Sequence, residues 1–313
     1  MKDIITALFL LFVLFGFSQN DNYTSEEIVL TNLIEGTLLI PSSEEIVPLV
    51  ILIQGSGPTD RDGNQPNMRN NSLKYLAESL AGENIATFRY DKRLVKLAQQ
   101  GRLREENINF DDFVDDAKSV LQHFQDDKRF SHIVIAGHSE GSLVGMLAAQ
   151  NGADAFISIA GAGQVIDNLI VEQLGRQTPE LAEEARKNFD EMRETGSSKN
   201  YSIMLSSIFR TSVQPFMYSW MQYNPQTEIA RLDVPILILN GTEDLQTNEA
   251  EARMLHSVKP FAEMYLIENM NHVFKEIATG DTIENAKSYN EPHRPIMPEL
   301  VDRIVTFVQA LED

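Results

Sequence analysis

Short apolar runs alternate with helical patterns along most of this chain, and this alternation constrains the fold more than any other feature. The run IVPLVILIQ, residues 46–54, is apolar at nearly every position, which is typical of a strand buried on both faces. Leucines at helical spacing follow within residues 73–80. Later predicted strands are 85–90, 133–136, 155–160, 235–240 and 263–267, and later predicted helices are 110–124, 142–150, 249–256 and 298–311. This order predicts an α/β fold, a mostly parallel sheet with helices on both faces.

The alternation is interrupted between residues 164 and 229, where only helical patterns occur. The predicted helices of this segment are 166–175, 179–195, 201–209 and 213–223. Because the segment lies between two predicted strands, we expect it to form a helical cap over a core made of residues 46–163 and 230–313. Short apolar alternation within residues 19–45 predicts an N-terminal pair of edge strands.

Residues 1–18, MKDIITALFLLFVLFGFS, differ in kind from the rest of the chain. Lys2 precedes an apolar run that is shorter than a comfortable membrane span, and small residues stand near a cleavage point after Ser18. This pattern predicts a signal peptide and a secreted or periplasmic protein. The alternative is that the run remains as an N-terminal membrane anchor.

The overall charge and the cysteine count exclude several classes of function. Acidic residues outnumber Lys and Arg by 46 to 26, giving a net charge of −20, which argues against binding to nucleic acid. The chain has no cysteine, so it forms no disulfide, no thiolate metal site and no lipid-modified N-terminal cysteine. We expect a small-molecule acyl substrate, no cofactor, no metal, and no membrane contact once a signal peptide is removed. The sequence does not give the oligomeric state.

The stretch IVIAGHSEGSLVG places Ser139 between two glycines, directly after a predicted strand and before a predicted helix. Gly137 and Gly141 are the residue types that a sharp strand–turn–helix elbow requires, because side chains there would collide where the helix meets the strand. The backbone N–H of Glu140, at the start of the helix, is then available to an oxyanion. Ser139 is therefore a candidate nucleophile. The alternative is an ordinary serine that caps a helix.

A serine hydroxyl needs a base, and six histidines compete for that role. His272 follows the predicted strand EMYLI through a short loop, at the carboxyl end of the strand, where ligands bind in open α/β sheets. The other five histidines are placed less well for this role. His123 and His256 lie in predicted helices, and His132 lies at the amino end of a strand. His138 lies in the elbow itself, and His293 lies in a proline-flanked loop. His272 is the preferred base.

The base in turn needs an orienting acid, and the strand PILILNG offers one at its carboxyl end. Asp244 lies there, whereas Asp233 precedes the strand and would be far from the serine. Glu243 is the near rival of Asp244. The chain order of Ser139, Asp244 and His272 is the order expected of an α/β-hydrolase triad.

The loop after the first buried strand, Gln54-Gly55-Ser56-Gly57-Pro58, predicts the second oxyanion donor, the N–H of Ser56. A dinucleotide loop would need a glycine at Asp60, and a calcium loop beginning there would need an acid at Asn71. For Asp60, Arg61 and Asp62 we expect structural ion pairs. Gly55, Gly57, Phe216 and Trp220 are candidates for lining the substrate pocket, although packing of the cap onto the core explains most of its apolar residues.

Five segments in order, QGSGPTDRDGN, ATFRYDKR, AGHSEGS, PILILNGTEDLQ and NMNHVFK, resemble the exported bacterial α/β-hydrolases of the serine aminopeptidase-like and carboxylesterase group. The resemblance extends from about residue 46 to the C-terminus. It implies the α/β-hydrolase fold, with Ser139 as nucleophile, Asp244 as acid and His272 as base. Gln54 stands where relatives commonly carry a histidine, and residues 93–96 replace a glycine-containing turn.

The sequence thus predicts a serine hydrolase that cleaves carboxylic esters through an acyl-enzyme. An aminopeptidase-like amide hydrolase is the first alternative, although no acidic anchor for a substrate amine can be nominated. A catalytically silent binding protein of the same fold is the second. The carboxylate of Glu140 would repel an oxyanion, so we expect it to turn away toward Arg89 or Arg93 on a neighbouring loop.

Overall fold

One mixed sheet organises the chain in a computed structural model that describes residues 22–43, 45–278 and 280–311. The sheet has eight strands in the order β1-β2-β4-β3-β5-β6-β7-β8. The strand bounds are Tyr23–Val29 (β1), Glu35–Pro41 (β2), Val47–Ile53 (β3), Ala86–Tyr90 (β4), Phe130–His138 (β5), Ala155–Ile159 (β6), Ile236–Gly241 (β7) and Glu263–Ile267 (β8). The segment 1–18, which the sequence interprets as a signal peptide, lies outside the described residues.

The strands divide into an antiparallel edge and a parallel body. β1 pairs with β2, and β2 with β4, in antiparallel register. All neighbours from β4 through β3 to β8 are parallel. β3 is buried along almost its whole length, because helices cover both faces of the sheet at its centre. The parallel register places the carboxyl ends of β3, β5, β6, β7 and β8 at one edge.

The helices pack on both faces of this sheet. Their bounds are Ser72–Gly82 (α1), Arg93–Gln99 (α2), Phe110–Phe124 (α3), Glu140–Ala149 (α4), Ile166–Gly175 (α5), Pro179–Thr195 (α6), Ser206–Phe209 (α7), Gln214–Trp220 (α8), Pro225–Ala230 (α9), Glu249–Val258 (α10), Thr282–Ser288 (α11) and Pro298–Gln309 (α12). Helices α1 and α12 bury one apolar cluster with one face of the sheet. Helices α3, α4 and α10 bury another cluster against the opposite face.

The segment between β6 and β7 is entirely helical among its regular elements, from α5 to α9. Helices α5 and α6 begin and end where the sequence pattern predicts, whereas the predicted helix 201–209 is a 3₁₀ turn, Ile203–Leu205, followed by the four-residue α7. The buried carboxylate of Asp167 fastens α5 to α6, since it accepts hydrogen bonds from Arg186 and Arg193. Ion pairing rather than apolar packing alone therefore joins these two helices.

Three short helices and the end of one strand depart from the sequence prediction. Helices α2, α9 and α11 have seven residues or fewer and carry too few turns for their apolar spacing to be visible. The segment 93–96, which the resemblance marks as a departure from a glycine-containing turn, is the start of α2. Strand β5 continues to His138 rather than ending at 136.

The parallel body, its covering helices and the inserted helical segment make up the α/β-hydrolase fold, as the sequence predicts. Within the described ranges, no helix combines the length and the apolar character that a bilayer crossing requires.

Candidate active site

Ser139 lies at a sharp elbow between β5 and α4, with φ 55° and ψ −120°. A non-glycine residue at positive φ with this ψ is strained, and such strain clusters at functional sites. The two flanking glycines are required by close backbone contacts. A Cβ atom at Gly137 would lie 2.1 Å from the carbonyl oxygen of Gly141, and one at Gly141 would lie 2.4 Å from that of Ile53. The elbow therefore holds the serine at the carboxyl edge of the sheet.

Two further strand ends bring Asp244 and His272 together at this edge. Asp244 follows β7 and His272 follows β8, and their side chains are hydrogen-bonded with Nδ1 2.7 Å from Oδ2. Both side chains are at most 5% exposed. The loops cross closely, because a Cβ at Gly241 would lie 1.9 Å from the carbonyl oxygen of Met270. Ser139 and His272 line the same pocket.

Hydrogen bonds from its own loop fix the Asp244 carboxylate. Its Oδ1 accepts from the backbone N–H groups of Gln246 at 2.8 Å and Thr247 at 2.9 Å. The hydroxyl of Thr247 lies 2.9 Å from Oδ2. These contacts hold the buried carboxylate in one orientation, which suits a group that orients an imidazole.

His138 contacts both the backbone and the ring of His272. Its Nε2 lies 2.9 Å from the carbonyl oxygen of His272, and the centroids of the two rings are 4.7 Å apart. Burial, together with the neighbouring His272 ring, lowers the pKa of the His138 imidazole to about 3. The ring is therefore neutral at ordinary pH and donates from Nε2 to the carbonyl oxygen of His272.

The loop after β3 lies against the serine. A Cβ added at Gly55 would be 3.2 Å from the Cβ of Ser139, so this loop packs tightly against the serine. The ammonium group of Lys92, which directly precedes α2, donates to the carbonyl oxygen of Gly55 at 3.0 Å. The peptide that joins Gly55 to Ser56 is thus held beside Ser139.

The side chain of Glu140 is buried and forms an ion pair with Lys92. The carboxylate turns toward a neighbouring loop, as expected, but the expected partners are wrong. Arg89 instead pairs with Asp62, and Arg93 pairs with acidic residues of α3. Lys92, which lies between β4 and α2, is the residue that pairs with Glu140.

Two pockets meet at Ser139, and both include Ser56 and Gln246. The helix-side pocket lies between the elbow and the inserted helices, and its apolar lining is Leu143, Ile166, Leu169, Ile170, Trp220 and Pro225. The loop-side pocket lies over His272, and its lining also includes Thr59, Gln65, Ser72, His138 and Tyr289. Glu140 lines the helix-side pocket, and Lys92 lines neither of the two pockets.

The four residues that the sequence assigns to the substrate pocket are divided between three places. Gly55 lines the loop-side pocket and Trp220 the helix-side pocket. Gly57 and Phe216 line a separate apolar cavity, whose lining does not include Ser139. The ring of Phe216 packs against Phe113 and Trp220, which makes it part of the contact between α8 and the core.

The other candidates from the sequence lie in ion pairs or away from the serine. Arg61 binds Glu27, Glu35 and Asp91, which fastens the loop after β3 to the edge strands. Burial is the main cause that raises the pKa of the neighbouring Asp60 carboxyl. His293 is exposed. In the part of the chain that the structure describes, no three acidic, histidine or cysteine side chains form a group that could hold a metal ion.

Sequence reasoning did not find the supporting residues His138, Lys92, Thr247 and Gln246. The position of His138 next to the serine in sequence argues against it as the base, but its side chain contacts the backbone of His272. Lys92 lies within the segment ATFRYDKR, so that segment marked its position but not its role. The only signal for Thr247 is its spacing of three residues from the acid, which suits a turn that closes on a carboxylate.

Comparison with known proteins gives a family and a fold. The family described as Serine aminopeptidase, S33, matches residues 68–274, a range that includes Ser139, Asp244 and His272. The esterase EstD of Thermotoga maritima is 25% identical over 229 residues, which cover 72% of this chain and 53% of that protein. The chain therefore spans about half the length of this curated relative.

Solved structures are similar in fold at low sequence identity. Est1E of Butyrivibrio proteoclasticus superposes with a TM-score of 0.56 at 15% identity, covering 91% of this chain and 99% of Est1E. An esterase of Pyrococcus furiosus superposes with a TM-score of 0.54 at 13% identity, covering 93% of this chain and 92% of the esterase. These likenesses support the fold described above.

Proposed function

The chain belongs to the serine aminopeptidase family, and on this premise we propose that it is a serine hydrolase that cleaves carboxylic esters through Ser139, His272 and Asp244. One observation carries the proposal: a buried Asp244–His272 pair, 2.7 Å between Nδ1 and Oδ2, shares a pocket with a serine at a strained elbow. Each of the three residues follows a different strand of the sheet. Such convergence is what acyl transfer by a serine hydroxyl requires.

The proposed chemistry uses each group in one role. His272 removes the proton of Ser139, whose Oγ forms a bond to the ester carbonyl carbon. The N–H groups of Ser56 and Glu140 hold the oxyanion, and His272 then gives the proton to the leaving alkoxide. In the second half, His272 removes a proton from water, hydroxide attacks the acyl-enzyme, and Ser139 leaves with that proton. Asp244 holds the imidazole in the tautomer that has Nε2 free.

The charge of the pockets favours an ester over an aminopeptidase substrate. An aminopeptidase needs a carboxylate to bind the α-ammonium group of its substrate. Among the described residues that line the two pockets, the only carboxylate is that of Glu140, which Lys92 already neutralises. The second oxygen of Glu140 is buried. Amide hydrolysis is the second candidate, and the family description is the observation that favours it.

Labelling by a fluorophosphonate probe tests the nucleophile. We expect stoichiometric labelling of the wild-type protein and of Ser257→Ala, an exposed serine of α10, and no labelling of Ser139→Ala. Mass spectrometry of the labelled peptide identifies the residue. Labelling that survives Ser139→Ala would refute the proposal.

A matched pair of substrates tests the reaction class. Nitrophenyl esters and aminoacyl nitroanilides are compared as substrates of the same protein preparation. We expect kcat/KM for the esters to exceed that for the anilides by about 100-fold or more, since the pockets offer an amine no counter-charge. A higher kcat/KM for the anilides would reverse the order of the two candidates.

For residues 1–18 we propose export, on the strength of their apolar run after a single basic residue. Expression with a C-terminal tag tests this proposal. The expected result is a protein released from the cytoplasm whose mass corresponds to a start at residue 19. Retention of the full-length chain in the membrane fraction would favour the anchor instead.

A further inference from the structure

The two pockets that meet at Ser139 differ in their relation to the base. His272 lines the loop-side pocket and does not line the helix-side pocket. In acyl transfer the imidazole must give its proton to the leaving oxygen, so that oxygen has to lie beside the base. The alcohol part of an ester therefore fits the loop-side pocket. The acyl part, on the other side of the attacked carbon, is left with the helix-side pocket.

The helix-side pocket suits an apolar acyl group. Its apolar lining consists of aliphatic side chains and one indole ring, mostly from α4, α5 and α8, among them Leu143, Leu169 and Trp220. The amide nitrogens of its glutamines are already bonded to the protein. Gln164 donates to acidic residues at 2.7 and 2.8 Å, and Gln173 donates to a backbone carbonyl at 3.0 Å. Burying an apolar group there displaces water without leaving these groups unpaired.

The loop-side pocket suits a neutral alcohol with several hydroxyl groups. Its side chains include Thr59, Gln65, Ser72, Gln246 and Tyr289, and its described lining contains no Lys, Arg, Asp or Glu. The bonds within the protein use the amide nitrogens of the two glutamines, which donate to a backbone carbonyl, to the Thr59 hydroxyl and to the Tyr289 hydroxyl. The glutamine carbonyl oxygens then serve as acceptors, and the tyrosine keeps its own O–H as a donor.

We propose that the substrate is an ester of an apolar carboxylic acid with a neutral, polyhydroxylated alcohol such as a sugar or a polyol. This inference rests on the proposed function. A charged alcohol, such as an amino alcohol or a phosphorylated sugar, would enter the loop-side pocket without a counter-charge. A long aliphatic alcohol would bury its chain against the Gln65 carbonyl oxygen and the Tyr289 O–H and leave both unpaired.

Two pairs of esters test the assignment. The first pair shares the butanoyl group and differs in the alcohol, methyl glucoside or hexanol. The second pair shares methyl glucoside and differs in the acyl group, butanoyl or the charged succinyl. Acid release at constant pH gives kcat/KM. We expect the glucoside to be preferred to the hexyl ester by about tenfold or more, and butanoyl to succinyl by a larger factor.

Variants assign each preference to its pocket. Tyr289→Phe is expected to lower the glucoside-to-hexyl ratio about fivefold or more, and Leu169→Ser to lower the butanoyl-to-succinyl ratio. Tyr218→Phe, an exposed tyrosine of α8, is the matched control and should change neither ratio. A hexyl ester that equals or exceeds the glucoside while Ser139 is labelled would overturn this inference and leave the proposed function standing. A protein that hydrolyses no ester and takes no label would overturn both.

A different observation concerns Lys92, whose ammonium group is buried beneath the elbow and packs 4.2 Å from the centre of the Phe113 ring. It binds both segments that supply the oxyanion donors. It donates to the carbonyl oxygen of Gly55 and forms an ion pair with the Glu140 side chain. The C=O of Gly55 and the N–H of Ser56 belong to one trans peptide and point in opposite directions.

We infer that Lys92 is a positioning residue for the oxyanion hole. Its bond to the Gly55 carbonyl directs the Ser56 N–H away from the lysine, toward the side of the loop that faces Ser139, and polarises that N–H. Its charge also cancels that of the Glu140 carboxylate, which would otherwise oppose the oxyanion. Fixed donors around a developing charge are among the largest contributions to acyl-transfer catalysis.

The double variant Lys92→Met/Glu140→Met tests this role, because it removes the pair without leaving an unpaired buried charge. We expect the melting temperature to stay near that of the wild type, kcat to fall about 30-fold or more and KM to change less than threefold. Phosphonylation of Ser139 should slow by a similar factor as kcat. A kcat within twofold of the wild type in the folded double variant would overturn the inference.

Lys92→Arg, with Glu140 unchanged, is the conservative variant to compare with the double variant. The guanidinium keeps the charge and the carboxylate pair but shifts the donor relative to the Gly55 carbonyl. Partial recovery of kcat relative to the double variant supports positioning by the cation. A kcat below that of the folded double variant would contradict it.

Discussion

The carboxyl edge of the sheet and the helices inserted between β6 and β7 both line the candidate site, and they are held in place by different means. At the edge, backbone atoms approach one another so closely that Gly137, Gly141 and Gly241 admit no side chain. The inserted helices are fixed by side chains, such as the carboxylate of Asp167 between two arginines. Geometry at the edge therefore tolerates almost no change, whereas the helices can vary and still fold. We expect the edge to determine whether the protein is active and the helices to modulate which acyl group it accepts.

The largest expected effect follows from filling the elbow. In Gly141→Ala the added methyl group would lie 2.4 Å from the carbonyl oxygen of Ile53, so the helix must move away from β3. We expect a loss of all hydrolysis and a destabilisation of about 3 kcal/mol, the upper range for overpacking. Thermal unfolding and ester turnover measure the two effects.

Gly82→Ala is the matched control, because nothing lies within 4 Å of a Cβ at that glycine in α1. It should leave turnover unchanged and raise stability by about 0.5–1 kcal/mol. An active and fully stable Gly141→Ala protein would contradict the rigid-edge view.

The next effect separates strain from catalysis at Ser139. The serine is held at φ 55° and ψ −120°, which glycine adopts at lower cost. We expect Ser139→Gly to unfold with a free energy about 1 kcal/mol larger than that of Ser139→Ala, and both to lose hydrolysis by about 10³-fold or more. Chemical denaturation of the two inactive variants compares them directly. Equal stability would show that the elbow is relaxed.

A smaller effect concerns His138, which packs against His272, the proposed base. The pKa of His138 is lowered to about 3, below the value of about 6.5 for an exposed histidine, so the unfolded chain binds a proton more readily. The stabilising contribution of the neutral ring is thus complete above pH 6.5 and is lost as the pH falls toward 3. His138→Phe should flatten the fall in unfolding free energy between pH 6.5 and 4.

The same substitution removes the hydrogen bond to the His272 backbone, and we expect kcat to fall about tenfold as the base loses its fixed position. His123→Gln, at an exposed position on α3, serves as the control for both measurements. An unchanged acid limb in His138→Phe would show that another group governs unfolding at low pH.

The smallest effect on turnover is expected from the junction of the inserted helices. Asp167→Asn weakens the bonds from Arg186 and Arg193, and we expect a loss of about 1 kcal/mol, with kcat changed less than twofold on a short acyl ester. Hydrogen exchange should increase in α5 and α6. Asp190→Asn removes an exposed partner of Arg186 and should cost less than about 0.5 kcal/mol. A large loss of kcat in Asp167→Asn would mean that the helices and the edge are coupled more tightly than their contacts indicate.

The sequence by itself determined the fold class, the long helices and the positions of Ser139, Asp244 and His272 at strand ends. Buried strands and amphipathic helices each leave a recognisable apolar pattern in the sequence. Because the strands are parallel, their carboxyl ends lie at one edge of the sheet. The short helices α2, α9 and α11 leave no such period. Their formation depends on tertiary contacts.

Only the tertiary structure decided which side chains support the site. Lys92 is 48 residues from its partner Glu140, and His138 is 134 residues from the carbonyl it binds. No local pattern specifies such contacts, which is why Arg89 and Arg93 were expected where Lys92 stands. The division of the substrate site into an apolar and a polar pocket arises in the same way. Side chains from strands, loops and inserted helices share one environment only after the chain has folded. That environment, and not their order in the sequence, determines their charge, their orientation and the groups they contact.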